Sequence, residues 1–125
     1  MATAALVGLE LESGARVISI LEDAGIVLKV ALWMATPEFE EGRIVIASSS
    51  LDQAKPLRAY ETVARILHGK FAQAAPPILI LRMSDPFIRS LRQHFGKVAS
   101  VEGLRLGGQM IGNRFVLNAY VYRIR

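Results

Sequence analysis

Two histidines and a run of serines are the side chains whose types could support catalysis. His68 and His94 fall near predicted helix C-termini, where the helix dipole favours positive charge, and neither has a carboxylate at metal-ligand spacing. Ser48–Ser50 precedes Asp52 between a predicted strand and a helix, but the flanking glycines of a hydrolase nucleophile are missing. We interpret the serines as strand-end caps, or as one wall of any small-molecule pocket in that place.

An acidic turn and a glycine-rich passage are the other candidates for chemistry. Glu38, Glu40 and Glu41 would have to converge to bind metal or transfer protons, whereas on a hairpin tip they point into water, with Phe39 as a candidate contact residue. The four glycines within 103–112 match neither phosphate-loop pattern. The sequence therefore leans against an enzyme, and we expect no catalytic residue, cofactor or metal.

Charge is segregated along the chain. Residues 1–42 carry seven acidic and two basic side chains, whereas residues 43–125 carry four acidic and thirteen basic ones. A folded domain with this pattern is expected to have a two-signed surface, which favours acidic ligands, nucleic acid or a second copy of the chain as partners.

Length and composition indicate one domain with an ample core. The chain has 125 residues, 52% of them hydrophobic, and no cysteine, which excludes disulfides and thiolate metal ligands. Met1–Leu11 lacks the basic region of a signal peptide, and the longest apolar run, Val30–Ala35, is too short to span a bilayer. We therefore expect a soluble cytoplasmic protein without membrane contact.

Hydrophobic periodicity predicts three helices and five strands. The first two strands should form an antiparallel hairpin, and Ile78–Met83, apolar on both faces, should lie in the middle of the sheet. Asp85 and Pro86 predict a helix start, and Leu57, Tyr60, Ala64 and Leu67 should share one face of the second helix. The predicted helices cover 9–24, 55–68 and 86–95, and the predicted strands cover 26–36, 43–49, 78–83, 104–110 and 114–124.

The fold class that follows is α+β, in the order α-β-β-α-β-α-β-β. We expect a single domain over residues 1–125, with a mostly antiparallel sheet of about five strands and three helices packed mainly on one face. The stretches VALW (30–33), PE (37–38) and RIVIAS (43–48), with the closing YVYR (120–123), resemble a small family of uncharacterised bacterial single-domain proteins. That resemblance implies a free-standing domain and no particular activity.

The last strand carries the best candidate binding surface. Alternation places Arg114, Asn118, Tyr120 and Tyr122 on one face, and interleaved Arg and Tyr on a sheet can hold single-stranded nucleic acid. The alternative is an amphipathic strand whose tyrosines lie under a helix or against a dimer partner. The candidate binding residues are Arg114, Asn118, Tyr120, Tyr122, Arg123, Arg125, Lys29 and Trp33.

Three functions remain open from the sequence. The favoured one is a non-catalytic interaction or accessory module that self-associates as a homodimer, because charge is segregated and a catalytic set is missing. The alternatives are a nucleic-acid-binding protein that uses the basic C-terminal strand, and a small-ligand protein or enzyme with an unusual site.

Overall fold

The computed structural model describes residues 8–72 and 75–125. Most of the N-terminal segment considered above, and residues 73 and 74 of the loop that follows the second predicted helix, lie outside this range. The described residues form four helices: α1 (Gly8–Asp23), α2 (Ser49–Asp52), α3 (Pro56–Leu67) and α4 (Pro86–Phe95). They also form seven strands: β1 (Val30–Thr36), β2 (Phe39–Ala47), β3 (Ile78–Ile80), β4 (Arg105–Leu106), β5 (Gln109–Ile111), β6 (Arg114–Val116) and β7 (Asn118–Ile124).

Five of the strands form one sheet in the order β3-β2-β1-β7-β4, and β5 and β6 form a separate small hairpin. β1 pairs antiparallel with β2 and β7 and is buried along its whole length. β3 runs parallel to β2, because the intervening α2 and α3 carry the chain back across the sheet. The predicted α+β domain with a mostly antiparallel five-stranded sheet is confirmed.

Helices cover both faces of the sheet. Alternate residues of β1 point to opposite sides, so Ala31 and Trp33 pack with α1 and α3, whereas Leu32 and Met34 pack with α4 and the β5–β6 hairpin. Two of the three longer helices in the described residues thus lie on one face. This two-sided arrangement lets a 125-residue chain bury two apolar layers.

The helix starts follow the local chemistry of the sequence. The Asp85 carboxylate accepts a hydrogen bond of 2.9 Å from the Phe87 N–H, and Pro86 occupies the first turn of α4, so the predicted cap is confirmed. The Ser48 hydroxyl accepts a hydrogen bond of 3.2 Å from the Ser50 N–H and caps α2. This single helical turn was not among the three predicted helices.

The prediction that Ile78–Met83 forms a central strand is wrong. β3 contains three residues and lies at the edge of the sheet. Its apolar side chains are needed on both faces because Ile78 and Ile80 contact one core and Leu79 the other. The Tyr60 hydroxyl of α3 accepts a hydrogen bond of 2.9 Å from the Ile80 N–H, which protects the open edge.

The predicted single strand over 114–124 is divided at Leu117 into β6 and β7. A second irregularity follows, because Ala31 pairs with Arg123 while the next residue, Leu32, pairs with Val121. Each irregularity reverses the alternation of side chains. Val116 and Ile124, predicted to share a face with the two tyrosines, therefore pack in the opposite core.

Candidate interaction site

Tyr122 of the predicted nucleic-acid surface packs against α1, and the Arg105 guanidinium lies 5.4 Å from the Tyr120 ring centroid. The Tyr122 hydroxyl donates a hydrogen bond of 2.8 Å to the Leu11 carbonyl, and the Tyr122 ring meets Tyr120 edge-on at 5.2 Å between centroids. Gly14 of α1 leaves room for this contact, because a Cβ there would overlap the Tyr122 ring. Trp33, the neighbour of Tyr120 on β1, is only 4% exposed. Half-buried and buried rings leave little face for a base to stack on.

The polar members of the predicted surface do not converge with these rings. Arg114 lies on the other sheet, with its Nη2 3.8 Å from the Asp85 carboxylate, and Arg123 pairs with Glu22 of α1. Lys29 and Asn118 are half-buried, and exposed Arg125 donates its N–H to the Lys29 carbonyl at 2.8 Å. The structure thus groups Trp33 with the tyrosines but separates them from Arg114.

The packing of Tyr122 has a consequence for pH dependence. Burial, and then the neighbouring Tyr120, raise the pKa of Tyr122 from about 10 to about 12. Since the folded chain holds the neutral phenol more tightly than the unfolded chain does, stability from this group is full below pH 10 and is lost as pH rises towards 12. We expect the urea midpoint of the wild type to fall more steeply over this interval than that of Tyr122→Phe. Parallel curves for the two proteins would contradict the assignment.

The apolar face of α3 differs from the predicted one. Ala59, Val63 and Leu67 are the buried residues, and the predicted stripe is turned outward, so that Leu57 is 72% exposed and Tyr60 37%. In this orientation Ala59, Val63 and Leu67 pack in the core, and the Tyr60 hydroxyl accepts from the Ile80 N–H of the edge strand β3. Of the predicted face, only Leu67 is buried.

An open groove of about 400 Å³ runs beside this exposed stripe. One side is α3, with Tyr60 and Ala64, and the other is formed by Phe71, Pro76 and Ile78. The loop that carries Phe71 is fixed to α1, where Arg16 donates to the Lys70 carbonyl at 2.6 Å and stacks 4.7 Å from the Phe71 ring centroid. The groove and stripe together, here called the α3 surface, form an apolar surface with preformed walls.

The two signs of charge meet at the edge of the α3 surface. The exposed charges of α3 and its N-cap are mostly basic, namely Lys55, Arg58 and Arg65, with Glu61 as an acidic neighbour of Arg58. A second pocket of about 230 Å³ adjoins the groove and is lined by Glu10, Glu41 and Arg43 over Trp33. Pro76 lines both cavities. A helix with mostly basic exposed charges thus lies near a pocket that contains two carboxylates and one guanidinium.

The residues considered for catalysis have structural partners. Ser48 is buried with its hydroxyl 2.8 Å from that of Ser50, and Asp52 accepts a hydrogen bond of 3.0 Å from the Met83 N–H. His68 ends α3, and His94 Nδ1 lies 2.8 Å from the Ser90 carbonyl.

The acidic turn does not converge on a ligand. Glu38, Glu40 and Glu41 are exposed, whereas Phe39 is half-buried, with the Arg43 guanidinium 4.9 Å from its ring centroid. Nowhere in 8–72 or 75–125 do three or more His, Asp or Glu side chains gather as a metal site would require.

The helices within the described ranges are too short or too polar to cross a bilayer. Comparison with known proteins found no matching family model, no matching curated protein and no matching solved structure.

Proposed function

We propose that this protein is a non-catalytic interaction module that binds a second copy of itself through the α3 surface. The observation that carries the proposal is the exposure of Leu57 and Tyr60 beside a preformed apolar groove. Large apolar side chains that border a groove on a polar surface are typical of protein interfaces. Tyr60 is also a residue type that concentrates binding energy when water is excluded around it.

Charge complementarity favours a second copy as the partner. The α3 helix, whose exposed charges are mostly basic, lies near the pocket that holds Glu10 and Glu41 with Arg43, and Pro76 lines both this pocket and the α3 groove. A two-fold axis near Pro76 brings the basic surface of each copy against the acidic surface of the other. In a closed two-fold dimer the same surface of each copy forms the interface, so each copy contributes both the α3 surface and the neighbouring pocket.

The test is the molecular mass of Leu57→Asp by light scattering and sedimentation. We expect the wild type to be a dimer at micromolar concentration and Leu57→Asp to dissociate at least roughly 30-fold more readily, as for an interface hot spot. The matched control is Val98→Asp, which places the same charge on a residue that is 50% exposed and far from α3 in the sequence. It should leave the dimer unchanged.

The contribution of charge to dimer affinity can be tested separately. Glu41→Lys should weaken the dimer by opposing the basic surface, and added salt should weaken the wild-type dimer because its pairs are exposed. Combining Glu41→Lys with Arg65→Glu should restore part of the affinity. A wild type that stays monomeric at high micromolar concentration would overturn the proposal, as would equal losses in Leu57→Asp and Val98→Asp.

A further inference from the structure

We propose that a basic groove beside the C-terminal half of α4 binds the phosphate backbone of nucleic acid. The groove is open, encloses about 560 Å³, and has no aspartate, glutamate or aromatic residue among its lining residues. Its walls come from α4, from the two residues that follow this helix, and from the residue after β7. The lining residues are Arg89, Arg92, Gln93, Gly96, Lys97 and Arg125.

The four cations of this groove lie together, whereas three other arginines of the chain are neutralised by side-chain carboxylates. Arg114 and Arg123 are paired with carboxylates, and Arg58 lies 3.9 Å from Glu61. Within the described residues, none of the groove cations has an aspartate or glutamate oxygen within 4.0 Å. The same holds for Arg16, Arg43, Arg65, Arg82 and Arg105, but these do not line the groove. Four exposed charges of one sign around one concavity attract an anion of high charge density.

One of these cations is held in place by the fold. The Arg92 Nε donates a hydrogen bond of 2.6 Å to the Arg125 carbonyl, which ties α4 to the end of β7. This contact orients the guanidinium and leaves its Nη groups for bidentate binding of a phosphate. The helix dipole accounts for cations at the end of α4, such as Lys97. It does not account for Arg89 in the middle of the helix or for Arg125 from another element.

The shape of the groove favours a nucleic-acid backbone over other polyanions. Arg89 and Arg92 are separated by about 4.5 Å along the axis of α4 at 1.5 Å per residue, close to the axial spacing of successive phosphates of one strand, and Lys97 lies two residues beyond the end of the helix. A concave groove fits the ridge of a sugar–phosphate strand, whereas a bilayer presents a plane. Since aromatic residues do not line the groove, we expect binding that depends on salt and not on sequence.

This inference is independent of the proposed dimer. α4 packs on the opposite face of the sheet from α3, so the two surfaces do not share a wall. It also differs from the site predicted on the last strand, of which only Arg125 lines the groove.

The test is fluorescence anisotropy with a labelled DNA duplex of about 20 base pairs and mixed sequence and, in parallel, a single strand of about 20 nucleotides, both of them much longer than the few phosphates that the groove spans. With about four phosphate contacts, we expect the affinity to fall about 100-fold between 50 and 200 mM salt. The variant Arg89→Gln/Lys97→Gln should reduce the slope of log affinity against log salt by about two. The control Lys70→Gln/Arg82→Gln removes the same charge from two exposed residues outside the groove.

The outcomes separate this site from its competitors. A control that loses as much affinity as the groove variant would show attraction by net charge alone and overturn the proposal. A larger loss of affinity in Tyr122→Ala than in the groove variant would overturn the proposal and place the binding site on the last strand. No binding at low salt, or binding to anionic phospholipid vesicles without binding to either oligonucleotide, would also overturn it.

Discussion

Replacing Phe87 with alanine is expected to lower the free energy of unfolding by about 3–5 kcal/mol, the range for deleting a fully buried aromatic ring. Phe87 is 0% exposed and is among the largest fully buried side chains. It stands in the first turn of α4, where its N–H donates to Asp85, and it packs in the core between α4, the sheet and the small hairpin.

The surroundings of Phe87 cannot close the resulting cavity cheaply. A Cβ added at Gly112, in the β5–β6 turn, would lie 2.8 Å from the Phe87 Cα and 2.6 Å from the Pro86 carbonyl, so this turn is already in contact with the backbone of α4. Backbones in contact cannot move inward to fill the space of the ring, and the energetic loss is expected near the upper end of the range.

Urea denaturation of Phe87→Ala provides the measurement. Phe115→Ala is the matched control, because Phe115 lies on the adjoining hairpin but is 39% exposed. The free energy of unfolding of this variant should fall by less than about 1 kcal/mol. Comparable losses in the two variants would show that Phe87 does not anchor this core.

Elements with a local chemical signal were predicted from the sequence. Asp85 and Pro86 define the start of α4, and Gly25 follows α1 with a φ of 94°, a conformation suited to glycine. The β1–β2 hairpin was also predicted, although its connecting turn is Pro37-Glu38 and not six residues, because β2 already begins at Phe39. In each case the residues that determine the feature are neighbours in sequence.

Features determined by distant contacts were not predicted. The three apolar residues Ile78–Ile80 indicate that both faces of β3 pack against other elements. They do not indicate whether β3 lies in the middle or at the edge of the sheet. The orientation of α3 depends on packing with residues distant in sequence, among them Ile80, which is 20 residues from Tyr60, so periodicity alone placed the exposed stripe in the core. The same error concealed the α3 surface, whose signal was an apolar stripe broader than one helix face needs.

The grouping of unpaired cations was equally invisible in the sequence. Arg89, Arg92 and Lys97 resemble ordinary exposed residues in the sequence, and only the fold shows that they line one groove with Arg125 and with no aspartate or glutamate. Glu22 and Asp85 lie far from their arginine partners in sequence, and only the fold shows which cations they neutralise. Net charge therefore predicted a basic surface but not its location.

Replacing Gly42 with alanine is expected to lower the free energy of unfolding by about 2–5 kcal/mol, from two separate effects. Gly42 has a φ of +89°, in the left-handed region where a side chain costs about 1–2 kcal/mol. In addition, a Cβ at this position would overlap the indole ring of Trp33, which is 4% exposed in the core. Such overpacking adds about 1–3 kcal/mol.

Gly25→Ala separates these two effects. Gly25 has nearly the same φ, +94°, but nothing within 4 Å of an added Cβ, so its loss measures the backbone conformation alone. The difference between the two variants in urea denaturation is then the energy of displacing Trp33, and the tryptophan fluorescence of Gly42→Ala should change while that of Gly25→Ala should not. Equal losses would mean that the indole moves aside freely. Trp33 also lines the pocket of Glu10 and Glu41 beside the α3 surface, so a freely moving indole would change the shape of that pocket.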